Sequence, residues 1–204
     1  MNADPPPSIQ PRHKDIQERD YDPTVSRHVA FLRAINIGGR RASREQLTTC
    51  LERLGFENVA TFRASGNLIF DADRESETAL IARINHDLTQ SLGYEVRAFL
   101  RTAPQVRAIA ALDPFPPKIV RASGGRLQVA LLAKPPAKRV RDDVLSMATD
   151  ADRLAIHGRE LYWLPSGGQM QTDLNLGAID NLIGENTRRT KSMIEEIAAK
   201  FLTP

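Results

Sequence analysis

The sequence is poor in the residues and runs that mark whole classes of protein. Its single cysteine among 204 residues excludes an intramolecular disulfide framework, which predicts a reducing, cytoplasmic setting. No run of about 18 apolar residues occurs, and the N-terminus has no apolar signal core, so we expect neither a membrane span nor secretion. Aromatic residues make up 5% of the chain, which argues against base stacking on a sheet of the RNA-recognition type.

Motifs for familiar chemistry are missing as well. Neither the glycine and lysine pattern of a P-loop nor the glycine pattern of a dinucleotide-binding fold occurs. The four histidines are separated from one another and from Cys50, so we predict no metal site and no cofactor. Cys50 falls on the apolar face of a predicted helix, where a small buried side chain is expected rather than a nucleophile. The sequence therefore identifies no catalytic residue, and enzymatic activity stays an open question.

The charge is small in total but uneven along the chain. With 41% hydrophobic and 26% charged residues and a formal charge of +3, the composition is that of an ordinary globular protein. Between Arg27 and Arg63, however, seven arginines accompany only three glutamates. Such a basic stretch favours acidic partners, namely nucleic acid, nucleotides or acidic peptides, although surface arginines often serve only solvation.

The basic stretch lies within a segment, residues 28–70, that predicts a strand, a loop, a helix and a hairpin. The strand is apolar on both faces and ends at Asn36, after which Gly38 and Gly39 form a turn. The helix begins with an S-x-x-Q capping box at Ser43, and the hairpin turns at residues 65–67. A second apolar helix and a strand follow, which completes a βαββαβ order typical of the ferredoxin-like fold.

The rest of the chain predicts a tail and a second unit. Residues 1–27 are rich in proline and lack apolar periodicity, so we predict a disordered or extended N-terminal tail. A proline-rich segment at Asp113–Pro117 divides a first subdomain, 28–113, from a second, 114–204. The second repeats the βαββ order and then continues into helices near Ala178–Ile183 and Thr187–Leu202. We predict an α+β fold of two ferredoxin-like units in tandem, a structural duplication, with C-terminal helices.

Four short segments resemble the motifs of a bacterial family known as domain of unknown function 1697. The family's RGINVGG and SGNVVF motifs are similar to Arg33–Gly39 and Ser65–Phe70. Its P-x-G…S segment is similar to Pro165–Gly167 followed by Thr172, and its closing T-x-R-N-W-N-T motif resembles Asn186–Arg189. The resemblance extends from about His28 to Phe201 and implies a duplicated ferredoxin-like α+β architecture, with no established activity or cofactor.

This chain departs from the family pattern at several positions. Ala34 replaces a glycine, Arg189 stands where asparagine is expected, and Thr190 stands where tryptophan is expected. The serine position falls on Gln171 or Thr172. If the closing motif forms part of a site, this member has altered it.

Two groups of residues are candidate ligand sites. In the first, the glycine turn and the start of the following helix offer backbone N–H groups beside arginines, which suits a phosphate or carboxylate. Its members are Asn36, Gly38, Gly39, Arg40 and Arg41 with Ser65, Gly66 and Asn67. The second combines a glycine loop with a predicted helix N-terminus, and its members are Gly167, Gly168 and Thr172 with Thr187, Arg188 and Arg189. In the alternative interpretation, the glycines only turn the chain, Thr187 only caps a helix, and the arginines face solvent.

Three functions are compatible with the sequence. The leading hypothesis is binding of a phosphate-bearing ligand, nucleic acid or nucleotide, by the basic Asn-x-Gly-Gly loop. The first alternative is an enzyme acting on a small anionic substrate, and the second is a protein-protein interaction scaffold. The oligomeric state is not predicted by the sequence.

Overall fold

A computed structural model of the chain describes residues 25–36, 38–63, 66–123, 126–167 and 172–203. These residues form eight strands and seven helices. The strands are β1 (Val25–Arg33), β2 (Glu57–Phe62), β3 (Asn67–Asp73), β4 (Arg97–Thr102), β5 (Gln128–Leu132), β6 (Arg153–His157), β7 (Glu160–Leu164) and β8 (Asn186–Thr190). The helices are α1 (Arg44–Arg53), α2 (Glu77–Leu92), α3 (Ala103–Ala111), α4 (Pro117–Ser123), α5 (Lys138–Leu145), α6 (Leu176–Ile183) and α7 (Lys191–Phe201).

The strands form two antiparallel sheets with matching strand orders. The first sheet has the order β2-β3-β1-β4, and the second has the order β6-β7-β5-β8. The registers match as well, because Val29 pairs with Ile69 and Arg101 in the first sheet while Val129 pairs with Tyr162 and Arg189 in the second. Two α+β units with the same topology are what a tandem duplication produces.

The two units share one core and each has a second core of its own. Alternate residues of β1 point to opposite sides, so that Ala30 and Leu32 pack under α1 and α2 while Val29 and Phe31 enter the shared core. In the second unit Ala130 and Leu132 pack under α5 and α6, and Val129 and Leu131 enter the shared core. Helices α3 and α7, which follow β4 and β8, pack against each other in this shared core. Both central strands are therefore apolar on both faces, as predicted for β1.

Local sequence signals account for the ends of α1. The Ser43 N–H donates to Gln46 Oε1 at 2.8 Å and the Gln46 N–H donates to Ser43 Oγ at 3.0 Å, which is the predicted capping box. Leu47, Cys50 and Leu51 form its buried face. Gly55 follows the helix with a φ of +80°, the left-handed conformation that commonly ends a helix.

The C-terminal part of the second unit differs from the prediction. The helix predicted from Thr187 begins only at Lys191, with Thr190 as its N-cap, and the residues before it form β8. This strand was missed because none of its five residues, NTRRT, is apolar. With β8 in place, the second unit has the full βαββαβ order, which adds one strand to the predicted βαββ and the helix near Ala178–Ile183.

Two elements begin near the boundaries that the sequence marked. Helix α4 begins at Pro117, the last residue of the proline-rich segment. Strand β1 begins at Val25, three residues before the predicted start of the first subdomain, and the tail residues 1–24 lie outside the described part of the chain. No helix in the described residues has both the length and the apolar character needed to cross a membrane.

Candidate functional site

A pocket of about 170 Å³ lies in the first unit between the N-terminus of α1 and the tip of the β2–β3 hairpin. We call it the loop pocket. Ala42 and Leu47 supply apolar surface, and its remaining lining residues are Asn36, Arg44, Thr61, Arg63, Gly66 and Asn67. Three of the residues singled out in the sequence, Asn36, Gly66 and Asn67, thus meet at one place.

Gly66 allows the hairpin to approach the loop after β1. The Leu32 N–H donates to the Gly66 carbonyl at 2.8 Å, which joins the turn to the end of β1. Gly66 has a φ of +68°, and a Cβ placed there would lie 2.5 Å from Ile35 Cγ2 and 3.0 Å from Leu32 Cβ. Any side chain at this position would force the two segments apart. The glycine of the SGN motif is therefore explained by close packing as well as by its backbone conformation.

Asn36 organises the loop itself. Its φ is +55°, a conformation that asparagine tolerates better than most residues. Its side-chain Oδ1 accepts the Ala42 N–H at 2.7 Å, which folds the glycine turn back against the start of α1. The side chain that we predicted as a ligand contact therefore also holds the loop in shape.

Helix α1 points its N-terminus at the loop pocket. The capping box uses the N–H groups of Ser43 and Gln46, whereas those of Arg44 and Glu45 have no acceptor among the described residues. First-turn N–H groups and the helix dipole together favour an anion at this end of a helix. The loop pocket is lined by Arg44, so it adjoins this favourable end.

Two side chains that the sequence analysis did not select add to the polar lining. The Thr61 Oγ1 atom is buried and has no hydrogen-bond partner in the described part of the chain. Arg63 lies at the hairpin tip with 53% of its side chain exposed, and its Nη2 atom is 2.5 Å from Glu196 Oε2 of α7. Thr61 therefore offers an unsatisfied hydroxyl, and Arg63 offers a cation that is already shared with a carboxylate.

The glycines and arginines of the predicted loop lie outside the pocket. Gly38 and Gly39 are exposed, and an added Cβ at either position would meet nothing within 4 Å. The guanidinium of Arg40 lies 5.0 Å from the ring centroid of Tyr94, and Arg41 Nη1 donates to the Arg40 carbonyl at 3.2 Å. The structure thus joins Asn36 to the hairpin but leaves the two arginines on the surface.

The closing motif reaches the same region through Arg189, which is 7% exposed. Its Nε atom donates to Asn67 Oδ1 at 2.7 Å, and its Nη2 atom donates to the carbonyls of Leu32 and Gly66 at 2.8 and 3.3 Å. Its Nη1 atom donates to Thr187 Oγ1 at 2.9 Å, and the Thr187 hydroxyl donates to the Leu32 carbonyl at 3.2 Å. Burial lowers the pKa of the Arg189 guanidinium to about 10, so it remains charged at neutral pH. Arg189 and Thr187 therefore fasten the second unit to the segments that build the loop pocket.

The other described residues of the second predicted group, Gly167, Thr172 and Arg188, make their hydrogen bonds elsewhere. Arg188 Nη1 lies 3.1 Å from Asp180 Oδ2 on α6, and so forms an ion pair within its own unit. The Gly167 N–H donates to the Ser123 carbonyl at 3.0 Å, and Thr172 Oγ1 accepts the Leu174 N–H at 3.0 Å. Ser65 and Gly168 lie outside the described residues.

Neither a metal nor a cysteine nucleophile is suggested by the described residues. No group of three or more His, Cys, Asp or Glu side chains among them could hold a metal ion. Cys50 is 1% exposed, and its thiol donates to Asp87 Oδ2 at 2.9 Å. Burial, together with the Asp87 carboxylate, raises the pKa of this thiol to about 12, so it stays protonated.

Comparison with known proteins places the chain in a family. A model described as "Protein of unknown function (DUF1697)" matches residues 25–162, which is more than half of the chain. The chain belongs to this family. The match includes every residue that lines the loop pocket, whereas the closing motif in β8 lies beyond it. Among curated proteins, none matches the sequence.

A solved structure supports the same fold. The chain is similar to a conserved bacterial protein, SP0830, from Streptococcus pneumoniae, with a TM-score of 0.69 and 17% sequence identity. The likeness covers 86% of this chain and 97% of the other. At this identity it supports the α+β fold of the DUF1697 chain and carries no information about ligands.

Proposed function

We propose that this DUF1697 protein binds a small ligand bearing a phosphate or carboxylate group in the loop pocket. The observation that carries the proposal is the combination of Arg44, Arg63 and the unpaired Thr61 hydroxyl around the N-terminus of α1. Arginine and helix N–H groups are the donors that proteins most often use for such anions.

The size of the pocket favours a small ligand over a polymer. Pockets for drug-sized ligands measure about 300–1,000 Å³, and the loop pocket measures about 170 Å³. This volume suits the anionic group and a short body. A nucleotide or a nucleic-acid strand would place its phosphate here only with the remainder outside the pocket, against the exposed Arg40 and Arg41.

Two matched double variants test the proposal. Arg44→Gln/Arg63→Gln removes two charges from the pocket, and Arg40→Gln/Arg41→Gln removes two charges from the same basic stretch outside it. Isothermal titration calorimetry with inorganic phosphate should show binding that the pocket variant weakens by tenfold or more, since a hydrogen bond to a charged group contributes about 1.5–3 kcal/mol. The loop variant should change the affinity by less than about twofold, because only the distant field differs.

The outcomes separate the hypotheses. Equal losses in the two variants would show that only the general basic charge matters, and absence of phosphate binding to the unmodified protein would refute the site. Fluorescence anisotropy with a short single-stranded RNA at low salt provides the comparison with nucleic acid. Binding of RNA that depends on Arg40 and Arg41, without phosphate binding, would favour a nucleic-acid surface instead.

The proposal also includes a ferredoxin-like fold for each unit and a cytoplasmic location for the protein. The βαββαβ order and the matching strand orders support a ferredoxin-like fold for each unit, arising by duplication. The division after Asp113 and a cytoplasmic location are parts of the proposal that rest on the sequence.

A further inference from the structure

A second pocket, of about 480 Å³, lies between helix α3 of the first unit and the β6–β7 hairpin of the second. We call it the interunit pocket. Its apolar and ring-bearing lining residues are Ala108, Ile109, Leu112, Pro135, His157 and Tyr162. The volume falls within the range of about 300–1,000 Å³ that is typical of small-molecule sites, which often lie between domains. Nothing in the proposed anion site involves these residues.

The matching registers explain why this pocket is open. Thr102 and Thr190 are the N-caps of α3 and α7 and pair with His28 and Gln128 at the same place in each sheet, so the two helices can be aligned residue by residue. In this alignment Ala108 of α3 corresponds to Glu196 of α7. The hairpins align as far as their last strand pairs, Phe62 with Asn67 and His157 with Glu160, although four residues connect the first pair and two connect the second.

The corresponding groove in the first unit is closed by side chains. Arg63 bridges to Glu196, and the Phe62 ring packs edge-on against Phe201 with the centroids 5.7 Å apart. In the second unit Gly158 and Ala108 take the places of Arg63 and Glu196, so neither side chain of the closing ion pair is present. The interunit pocket is therefore a specific difference between two equivalent positions.

The charges beside the interunit pocket neutralise each other. Arg159 Nη2 lies 3.0 Å from Glu77 Oε2, and Arg101 Nε lies 2.8 Å from Glu160 Oε1. The side chains of Arg101 and Glu160 are 1% and 12% exposed, so their pairing is shielded from solvent. Two cations and two anions in adjoining pairs offer no net charge to a ligand, and a charged ligand would lose hydration without a counter-charge.

The remaining lining suits a ring. His157 and Tyr162 pack edge-on with centroids 5.9 Å apart, and Pro135 adds a third ring. Tyr162 is 1% exposed and supports the His157 ring, so the ring surface open to a ligand belongs to His157 and Pro135, which are both exposed. Aromatic and proline surfaces favour flat apolar molecules by stacking and edge contacts.

We propose that the interunit pocket binds an uncharged small molecule that contains an aromatic ring. Such a ligand would contact α3 of one unit and the β6–β7 hairpin of the other at once, so its binding would depend on both units. This site is independent of the anion site proposed for the loop pocket.

The test copies the closed groove of the first unit into the second. The variant Ala108→Glu/Gly158→Arg introduces the equivalent of the Glu196–Arg63 pair. The left-handed backbone at Gly158, with a φ of +59°, strains a side chain, but Arg63 has the same conformation with a φ of +57°, and an added Cβ at Gly158 would lie 3.4 Å from Glu160 Oε2. Ala111→Glu is the matched control, because Ala111 is an exposed residue of α3 that does not line the pocket.

The probe is the uncharged fluorophore N-phenyl-1-naphthylamine, added to the full chain. Saturable fluorescence enhancement is expected for the unmodified protein and for Ala111→Glu, with at least a tenfold weaker affinity for the double variant. Equal affinities in all three proteins, or no saturable binding to the unmodified protein, would overturn the proposal. Methyl NMR of the unmodified protein locates the probe without any mutation: shifts should concentrate at Ala108, Ile109 and Leu112, and shifts confined to other methyl groups would refute the site.

Discussion

The two units have the same strand order and the same buried arginine position, yet the partners of that arginine differ. Arg101 of β4 reaches into the second unit, where it donates to the Leu132 and Arg159 carbonyls at 2.9 and 3.3 Å. Arg189 of β8 reaches into the first unit and donates to the carbonyls of Leu32 and Gly66. Each unit thus supplies an arginine that donates hydrogen bonds at the end of the other unit's central strand.

The two units differ in the side chain that accepts the hydrogen bond from the Nε atom of the buried arginine. For Arg101 it is the carboxylate of Glu160, and for Arg189 it is the amide of Asn67, at the matching position of the hairpin. Glu160 brings a negative charge to the interunit pocket that it lines, whereas Asn67 brings none to the loop pocket. At this matching position the buried arginine therefore has a charged acceptor in one half and a neutral acceptor in the other.

The largest predicted effect comes from removing these arginines. Arg101→Met should lower the free energy of unfolding by about 3–5 kcal/mol, because Glu160 would be left buried without its cation. Arg189→Met should cost about 2–4 kcal/mol, because it deprives buried carbonyls and the Asn67 amide of a donor. Urea denaturation measures both losses.

An exposed arginine provides the control for this pair. Arg139→Met, at a side chain that is 94% exposed, should change stability by less than about 0.5 kcal/mol. Adding Glu160→Gln to Arg101→Met should restore part of the loss, since the stranded charge is removed. A loss below about 1 kcal/mol for both arginine variants would show that the exchange between the units does not stabilise the fold.

The next largest effect on stability is expected at the tip of the β2–β3 hairpin, which differs from the tip of the β6–β7 hairpin. Gly66→Ala should destabilise the protein by about 2–4 kcal/mol, because it combines a left-handed backbone with a steric clash at Ile35. Gly93→Ala separates these causes: Gly93 has a φ of +74° but an added Cβ there would meet nothing within 4 Å. It should cost only about 1 kcal/mol. Equal losses in chemical denaturation would mean that the close approach at Gly66 is unimportant.

A smaller effect depends on pH. His28 and Gln128 occupy matching positions, and burial lowers the pKa of His28 below 6.5 against the opposing influence of Glu77, Asp71 and Glu75. Between the folded-state pKa and 6.5 the unfolded chain binds more protons than the folded chain, so stability falls as the pH is lowered through this window. His28→Gln should flatten that decline in urea titrations from pH 7 to pH 5.

The control for the pH effect is an exposed histidine of the same unit. His86→Gln should leave the decline in place, because His86 lies on the exposed face of α2. The converse variant, Gln128→His, should steepen it, since it buries a titratable ring at the matching position of the second unit. A decline that persists in His28→Gln would assign the pH dependence to other groups.

The smallest effect is at the residue after the central strand. Ala34 has a φ of +58°, a left-handed conformation that strains alanine more than glycine. Ala34→Gly should therefore stabilise the protein by about 0.5 kcal/mol, after subtraction of the added entropy of the unfolded chain. Lys134, which follows β5, is not among the described residues with a positive φ, so Lys134→Gly should destabilise it. Thermal melts resolve both, and stabilisation by both variants would contradict the backbone explanation.

Local sequence signals predicted the elements whose causes are local. The capping box of α1, the glycine after it and the apolar faces of α1 and α2 lie where the patterns placed them. Strand β8 was not predictable in this way, because its buried positions carry Thr187 and Arg189 in place of apolar residues. These side chains are tolerated inside because the first unit supplies their acceptors, which only the tertiary structure reveals.

In the candidate site, too, some residues have local sequence signals and others depend on the tertiary structure. Asn36, Gly66 and Asn67 could be selected because asparagine and glycine mark unusual backbone conformations. Arg44 directly follows the N-cap Ser43, so the predicted helix start also marks it as a residue near an anion-binding end. Thr61 and Arg63 gave no signal, because the direction of a hairpin tip is set by the register of β2 with β3.

The hydrogen bonds that Arg189 of the second unit makes to the first unit have a consequence for the order of folding during translation. The Thr187 and Arg189 contacts with Leu32 join residues 155 and 157 positions apart. When the ribosome has synthesised all of the first unit, the donors that complete the end of β1 have still to be made. Until β8 leaves the exit tunnel, a nascent first unit therefore lacks the donors that Thr187 and Arg189 give to the Leu32 carbonyl, and during this interval the end of β1 would be most open to chaperones.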